Sequence, residues 1–178
     1  RDLWHITRET TLACAKPTQI LATWKRSEGF RTGFLTGVTM IPTGVVYLLF
    51  DDAIEQAFSS PKLAAGMLLV TACFLFSTLL RKNPQGDLKI GSAFLIGLAQ
   101  SFAMIPGISR SGATIATALG LGVAREKAAR FSFLMSTPVI VAATLVEILK
   151  MDGESASIPW APMLLGLLIA YVSGIFAI

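Results

Sequence analysis

Apolar residues in this chain come in long blocks separated by short charged or turn-forming stretches, not in the alternating or amphipathic runs of a water-soluble domain. The block "LAAGMLLVTACFLFSTLL" (63–80) has about the ~20 residues that a bilayer crossing needs. Blocks 33–50, 131–149 and 161–178 have similar character, the first kinked or broken near Pro42 and the second containing Pro138. Two shorter blocks, 90–105 and 111–123, flank "MIPGISRSGATIA" (104–116) and are each short for a crossing. The pattern predicts an all-α polytopic integral membrane protein with four transmembrane spans and a helical hairpin over 90–123, re-entrant or just spanning. Residues 1–31 are polar and mixed; they predict an interfacial or cytoplasmic segment interrupted at Pro17, with Trp4 and His5 as interfacial residues.

Composition sharpens this. The chain has 178 residues, 53% hydrophobic and 15% charged, with a mean hydropathy of +0.66, which excludes an ordinary soluble domain. The net charge of +4 does not point to nucleic acid, because the basic residues sit in short clusters at block ends and form no stripe with interleaved aromatics. Those clusters have an order: basic before 33, acidic at Asp51, Asp52 and Glu55, basic at Arg81, Lys82 and Lys89, basic again at Arg125, Lys127 and Arg130, then acidic at Asp152 and Glu154. Under the positive-inside rule the basic connections are cytoplasmic. The segment 90–123 then leaves and returns to the cytoplasmic side, and sixteen helical residues carry its turn about 24 Å inward. Cys14 and Cys73 are too few for a disulfide framework, and His5, the single histidine, has no companion at metal spacing. The chain starts at Arg1 and stops at Ile178 inside an apolar run, as expected of a fragment.

Irregular backbone and an arginine at membrane depth usually line a cavity or mark a function. Pro106 and Gly107 are expected to end the incoming helix, and Ser109, Arg110, Ser111 and Gly112 to open the outgoing one. A helix start offers unpaired N–H groups and partial positive charge, which attract anions. Gly107 and Gly112 admit close approach, Arg110 supplies a forked pair of donors, and Ser109, Ser111 and Thr114 add hydroxyls. The same residues also suit helix packing, since Ser, Gly and Thr are common at membrane helix contacts and Arg110 could pair with a carboxylate or snorkel. Gln100, in the incoming helix, reads either as part of the site or as an amide bonding between helices. Glu147 reads as interfacial, and Arg125, Glu126, Lys127 and Arg130 as a solvated turn.

The stretch "GLAQSFAMIPGISRSGATIATALGLGVAREKAARFSFLMSTPVI" (97–140) closely resembles the undecaprenyl-diphosphate phosphatases, the bacitracin-resistance proteins. Pro106-Gly107 and Ser109 to Thr114 resemble that family's second signature, and "GVTMIPTGVVYLLFDDAIEQAFSSP" is similar to its preceding span and outer loop. The resemblance implies a multi-pass enzyme of the bacterial plasma membrane, its site toward the outer face, that removes one phosphate from undecaprenyl diphosphate and recycles the carrier lipid for peptidoglycan. It implies two inverted repeats, each with a re-entrant hairpin, and a divalent cation, magnesium or calcium. By motif, Arg110, Ser109 and Thr114 would be catalytic, with Gly107, Ser111, Gly112 and Gln100 binding substrate and none of them a metal ligand. Membrane lipids and undecaprenyl diphosphate are the implied partners, a homodimer is compatible, and nucleic acid is not expected. The family's first motif, with glutamates, a serine and a histidine, has no counterpart here. "MIPTG" (40–44) echoes "MIPGI" (104–108) in a different element. Residues 1–178 alone are therefore expected not to turn over substrate. A polyprenyl-phosphate transporter or flippase, or a non-catalytic membrane subunit, would use the same hairpin.

Overall fold

Three of the helices begin where a serine precedes an apolar run. In the computed structural model, which describes residues 27–81, 84–150 and 160–177, Ser27 caps α1 (Glu28–Phe58) by accepting a hydrogen bond from Phe30 N–H at 2.9 Å. Ser60 caps α2 (Pro61–Leu79) through Leu63 N–H, with Pro61 at the first helical position, where its missing N–H costs nothing. α3 (Ile90–Phe102) follows an extended Lys89 with no side-chain cap. Ser109 caps α4 (Arg110–Gly120), and α5 (Arg125–Lys150) and α6 (Trp160–Ala177) complete the described helices. The architecture is all-α, and α1, α2 and α5 are long and apolar enough to cross a membrane; α3 and α6 are shorter apolar helices.

The described residues divide into two compact units, one ending at Val139 and one starting at Ile140. In the first, α3 packs along α1 most extensively, α4 packs on α3 and on α2, and α1 also touches α2. The α1–α3 seam is tight at Gly97, where a Cβ would stand 2.6 Å from Thr39 O and 2.7 Å from Pro42 Cγ. The core gathers Leu35 of α1, Ala93 and Ile96 of α3, Ala118 and Leu119 of α4, Val123, and Ala128, Phe131 and Met135 of α5. In the second unit, α6 is apolar along its length.

Several boundaries differ from expectation. α1 starts at Glu28 and runs straight past Pro42, which is buried against the Gly97 seam; its backbone departs from helical geometry at Phe50 (φ −128°, ψ 20°), just before Asp51 and Asp52. Thr43 Oγ1 donates to Thr39 O at 3.0 Å beside the proline. The hairpin helices are shorter than their apolar blocks. α3 has 13 residues and α4 has 11, about 20 and 17 Å at 1.5 Å per residue, well under the ~30 Å of a hydrocarbon core. The echo segment 40–44 is continuous helix in α1, whereas 104–108 is a turn, so the two share letters and not structure. Residues 1–26, with Trp4, His5, Cys14 and Pro17, and residues 151–159, with Asp152 and Glu154, lie outside the described residues.

At its far end α4 closes on itself. Val123 N–H bonds to Ala118 O at 3.0 Å and Gly122 N–H to Leu119 O at 3.0 Å, with Gly122 at φ +86°. This is a Schellman motif, its Val123 anchored in the core. Gly86 then bonds through its N–H to Gly122 O and through its O to Ala124 N–H, tying the 84–89 loop to the α4–α5 turn.

Candidate functional site

The tip of the hairpin is built by a taper, a turn and a cap. α3 ends at Phe102, and Met104 N–H and Ile105 N–H bond three residues back, to Ser101 O and Phe102 O. These shorter-range bonds tighten the last turn before Pro106, whose ring disfavours helix in the residue ahead of it. Ile108 N–H returns to Ile105 O at 3.2 Å around Pro106 and Gly107, the latter at φ +94°. Proline at the second position and a left-handed glycine at the third is the type II β-turn pattern. Ser109 is extended, its Oγ accepts from Gly112 N–H at 3.1 Å, and its carbonyl takes Ala113 N–H at 2.8 Å.

The caps leave the N–H groups of Arg110 and Ser111 at the first two positions of α4 with no carbonyl inside the helix to bond. Arg110 is half-buried, and its Nη1 reaches only a marginal 3.5 Å contact with Ser136 O of α5. Among the described residues no carboxylate pairs with it, so the carboxylate-pairing reading has no support there. Ser111 is exposed, with its hydroxyl 3.5 Å from that of Ser109. A fork of guanidinium donors, two amides and two hydroxyls therefore stand on one turn, at the positive end of a helix dipole. That set can hold a phosphate group.

Gly107, Ser109, Arg110, Ser111 and Gly112 are thus brought together as expected. Thr114 sits one turn below, 1% exposed; its hydroxyl lies 2.8 Å from Arg110 O and 2.7 Å from Ser132 Oγ of α5. The contact joins α4 to α5 beneath Arg110. Gln100 is 2% exposed and faces α1, donating from Nε2 to Thr43 Oγ1 at 3.1 Å. That contact is the inter-helix amide bond anticipated as one reading; its Oε1 is buried without a partner among the described residues.

Two residues of this neighbourhood carry no mark in the motif. Ser132 is the buried partner of Thr114. Thr71 of α2 donates from Oγ1 to Gly107 O at 2.9 Å and accepts from Ser109 N–H at 2.9 Å. Each is a hydroxyl inside an apolar block, the kind of small polar residue found at membrane helix contacts.

Nothing at the tip suits a divalent cation. Its groups are donors and hydroxyls, without a carboxylate, whereas magnesium and calcium take several oxygen ligands with carboxylates among them. Among the described residues no three His, Cys, Asp or Glu side chains cluster. A separate cavity of about 120 Å³ lies at the base of the first unit, lined by Arg31, Asp87, Leu88, Lys127, Arg130 and their neighbours. It is bounded by the start of α1 and the start of α5, not by the tip.

Comparison with known proteins agrees with the motif. The chain is similar to an undecaprenyl-diphosphatase of Salinibacter ruber (strain DSM 13855 / M31), 41% identical over 177 residues, covering 99% of this chain and 66% of that protein. It is 44% identical over 145 residues to an undecaprenyl-diphosphatase of Parabacteroides distasonis, covering 79% and 54%. To undecaprenyl-diphosphatase 2 of Frankia casuarinae it is 36% identical over 184 residues, covering 90% and 63%. The chain thus spans between 54% and 66% of the length of these relatives. Residues 1–178 match the family described as bacitracin resistance protein BacA along their whole length, and the chain belongs to that family.

Proposed function

We propose that the protein hydrolyses undecaprenyl diphosphate, water displacing the terminal phosphate so that the phosphoanhydride P–O bond breaks and undecaprenyl phosphate and inorganic phosphate are formed. The observation that carries this reading is the α4 start, where Arg110 and two uncommitted backbone amides converge on a polar turn of a chain whose relatives are named undecaprenyl-diphosphatases. The diphosphate's charge grows on its bridging and terminal oxygens as the bond breaks. A guanidinium fork and helix-start amides held in a partly dry site stabilise that charge more than water does. Ser109 and Gly107 hold the turn, Ser111 offers a hydroxyl to a phosphate oxygen, and Thr114 with Ser132 steadies the helix that carries Arg110. The polyprenyl tail lies among the exposed apolar side chains, in lipid. Magnesium or calcium, implied by the family resemblance, finds no ligand set at the tip, so no step is assigned to it.

The same reading sets the protein in the bacterial plasma membrane with the tip toward the outer face. Support comes from the hairpin's base, where Arg31, Lys89, Arg125, Lys127 and Arg130 gather at the opposite end of α3 and α4 from the turn.

The test is phosphate release from undecaprenyl diphosphate by the full-length protein, purified and reconstituted. Arg110→Ala should lower turnover by at least about 100-fold, the scale for losing a charge-stabilising donor. Arg110→Lys should recover only part, because an ammonium cannot present a planar fork. Lipid movement without phosphate release would refute the hydrolase, and full activity in a folded Arg110→Ala variant would refute the role given to Arg110.

A further inference from the structure

α2 is inverted relative to a soluble helix. Leu68, Leu69, Phe76 and Leu79 are exposed, and the single buried residue among its nineteen is polar: Thr71, 8% exposed. In lipid this is the expected sense, with apolar side chains outward and the hydroxyl inward. What the hydroxyl meets is the hairpin tip. Its hydrogen goes to Gly107 O and its lone pair receives Ser109 N–H, both at 2.9 Å, so one oxygen spans Ile108 and clasps the turn on both sides. The rest of the same helix stripe follows the tip's contour. A Cβ on Gly107 would meet Ala64 O at 2.1 Å and Met67 Cβ at 3.0 Å, and one on Gly112 would lie 3.5 Å from Leu75 Cδ2. Residues 64, 67, 71 and 75 recur at helical spacing on one face. The backbone of the turn therefore rests against α2, and among the described residues Thr71 is its one polar tie to that helix.

We propose that Thr71 is a positioning residue for the anion site: its hydroxyl sets the position of Ser109, and through Ser109 the aim of the α4 amides and of Arg110. Ser109 stands at the junction of three bonds, from its N–H to Thr71, from its Oγ to Gly112 N–H and from its O to Ala113 N–H. Without Thr71, Gly107 O and Ser109 N–H lose a partner in a setting with little water, and the turn relaxes toward other donors. The start of α4 moves with it. The clasp itself is geometric; its effect on catalysis rests on the hydrolase reading above.

The experiment follows both. In the full-length protein, purified and reconstituted, hydrogen–deuterium exchange across 105–112 is compared for wild type, Thr71→Ser, Thr71→Cys and Thr71→Val, with Thr78→Val as a control on the same helix, whose hydroxyl bonds to Leu75 O. Exchange should rise in the order Ser, Cys, Val, and the control should match wild type. Turnover of undecaprenyl diphosphate should fall in the same order, Thr71→Val losing about 10- to 100-fold in kcat, the scale of an ångström-level misplacement, with KM changed far less and Thr71→Ser restoring most of the rate. If Thr71→Val does not fold, the Ser-to-Cys step carries the same ordering. Raised tip exchange in a protein that never hydrolyses the lipid would uphold the clasp and refute the hydrolase. Wild-type exchange in the Cys and Val variants, or a loss confined to KM, would overturn the role of Thr71.

Discussion

The two turns that bound α4 use the same device and put it to opposite ends. Each places a glycine in the left-handed region, Gly107 at φ +94° in the tip and Gly122 at φ +86° at the base. At the base, backbone closes on backbone. The Schellman bonds, the Gly86 bridge and buried Val123 leave the turn's polar groups satisfied by the chain itself. At the tip, a side chain from another helix holds the turn, and the first amides of α4 and the Arg110 guanidinium keep donors in reserve. A turn that satisfies itself leaves few backbone donors for a ligand. A turn held from behind leaves its front for a ligand.

Substitutions at the two glycines should separate these roles most sharply. Gly107→Ala drives a methyl group into Ala64 O, 2.1 Å away, whereas at Gly122 a Cβ meets nothing within 4 Å. Gly122→Ala should cost about 1–2 kcal/mol from left-handed strain alone, seen as a modest fall in melting temperature with activity retained. Gly107→Ala should cost more than that and abolish phosphate release, because the tip must leave α2. Equal losses at both positions would remove the distinction.

Next in size is Thr114→Val. Its hydroxyl is buried against Ser132, so the variant leaves that serine unpartnered and should lose about 1–3 kcal/mol of stability. Adding Ser132→Ala should recover part of it, since removing both partners costs less than removing one. A turnover loss in Thr114→Val far beyond its stability loss would instead place the hydroxyl on the substrate.

The smallest effect belongs to the base. Lys127 donates a hydrogen bond to the exposed Asp87 carboxylate and, with added attraction from its charge and from Arg31, holds that carboxyl below its ordinary value. A carboxylate depressed in the folded state adds stability above its unfolded pKa and loses it as pH falls through the folded one. Asp87→Asn should therefore lower the melting temperature slightly at neutral pH, not at all under strong acid, and less in high salt. An effect on phosphate release would mean that base and tip are coupled.

Much of this molecule follows from order along the chain. Block lengths separate α1, α2 and α5 from the short hairpin arms, because a bilayer demands a minimum apolar length whatever the packing. Ser109 at the cap, Pro106 and Gly107 in the turn and Arg110 at the helix start were legible for local reasons: each residue's conformational and hydrogen-bonding preferences act within four neighbours. The helix ends were less so. The apolar run to Ile105 conceals the taper that stops α3 at Phe102, and Pro42 is accommodated because Gly97 leaves room for it. Contacts across 36 and 38 residues, such as Thr71 to Gly107 and to Ser109, have no periodicity to announce them. Nor do Thr114 with Ser132 or Gln100 with Thr43. Local sequence determines where the backbone runs out of partners, since that depends on the chain's own geometry. Which neighbouring helix supplies the missing partner depends on how the helices pack, and the tertiary structure decided that.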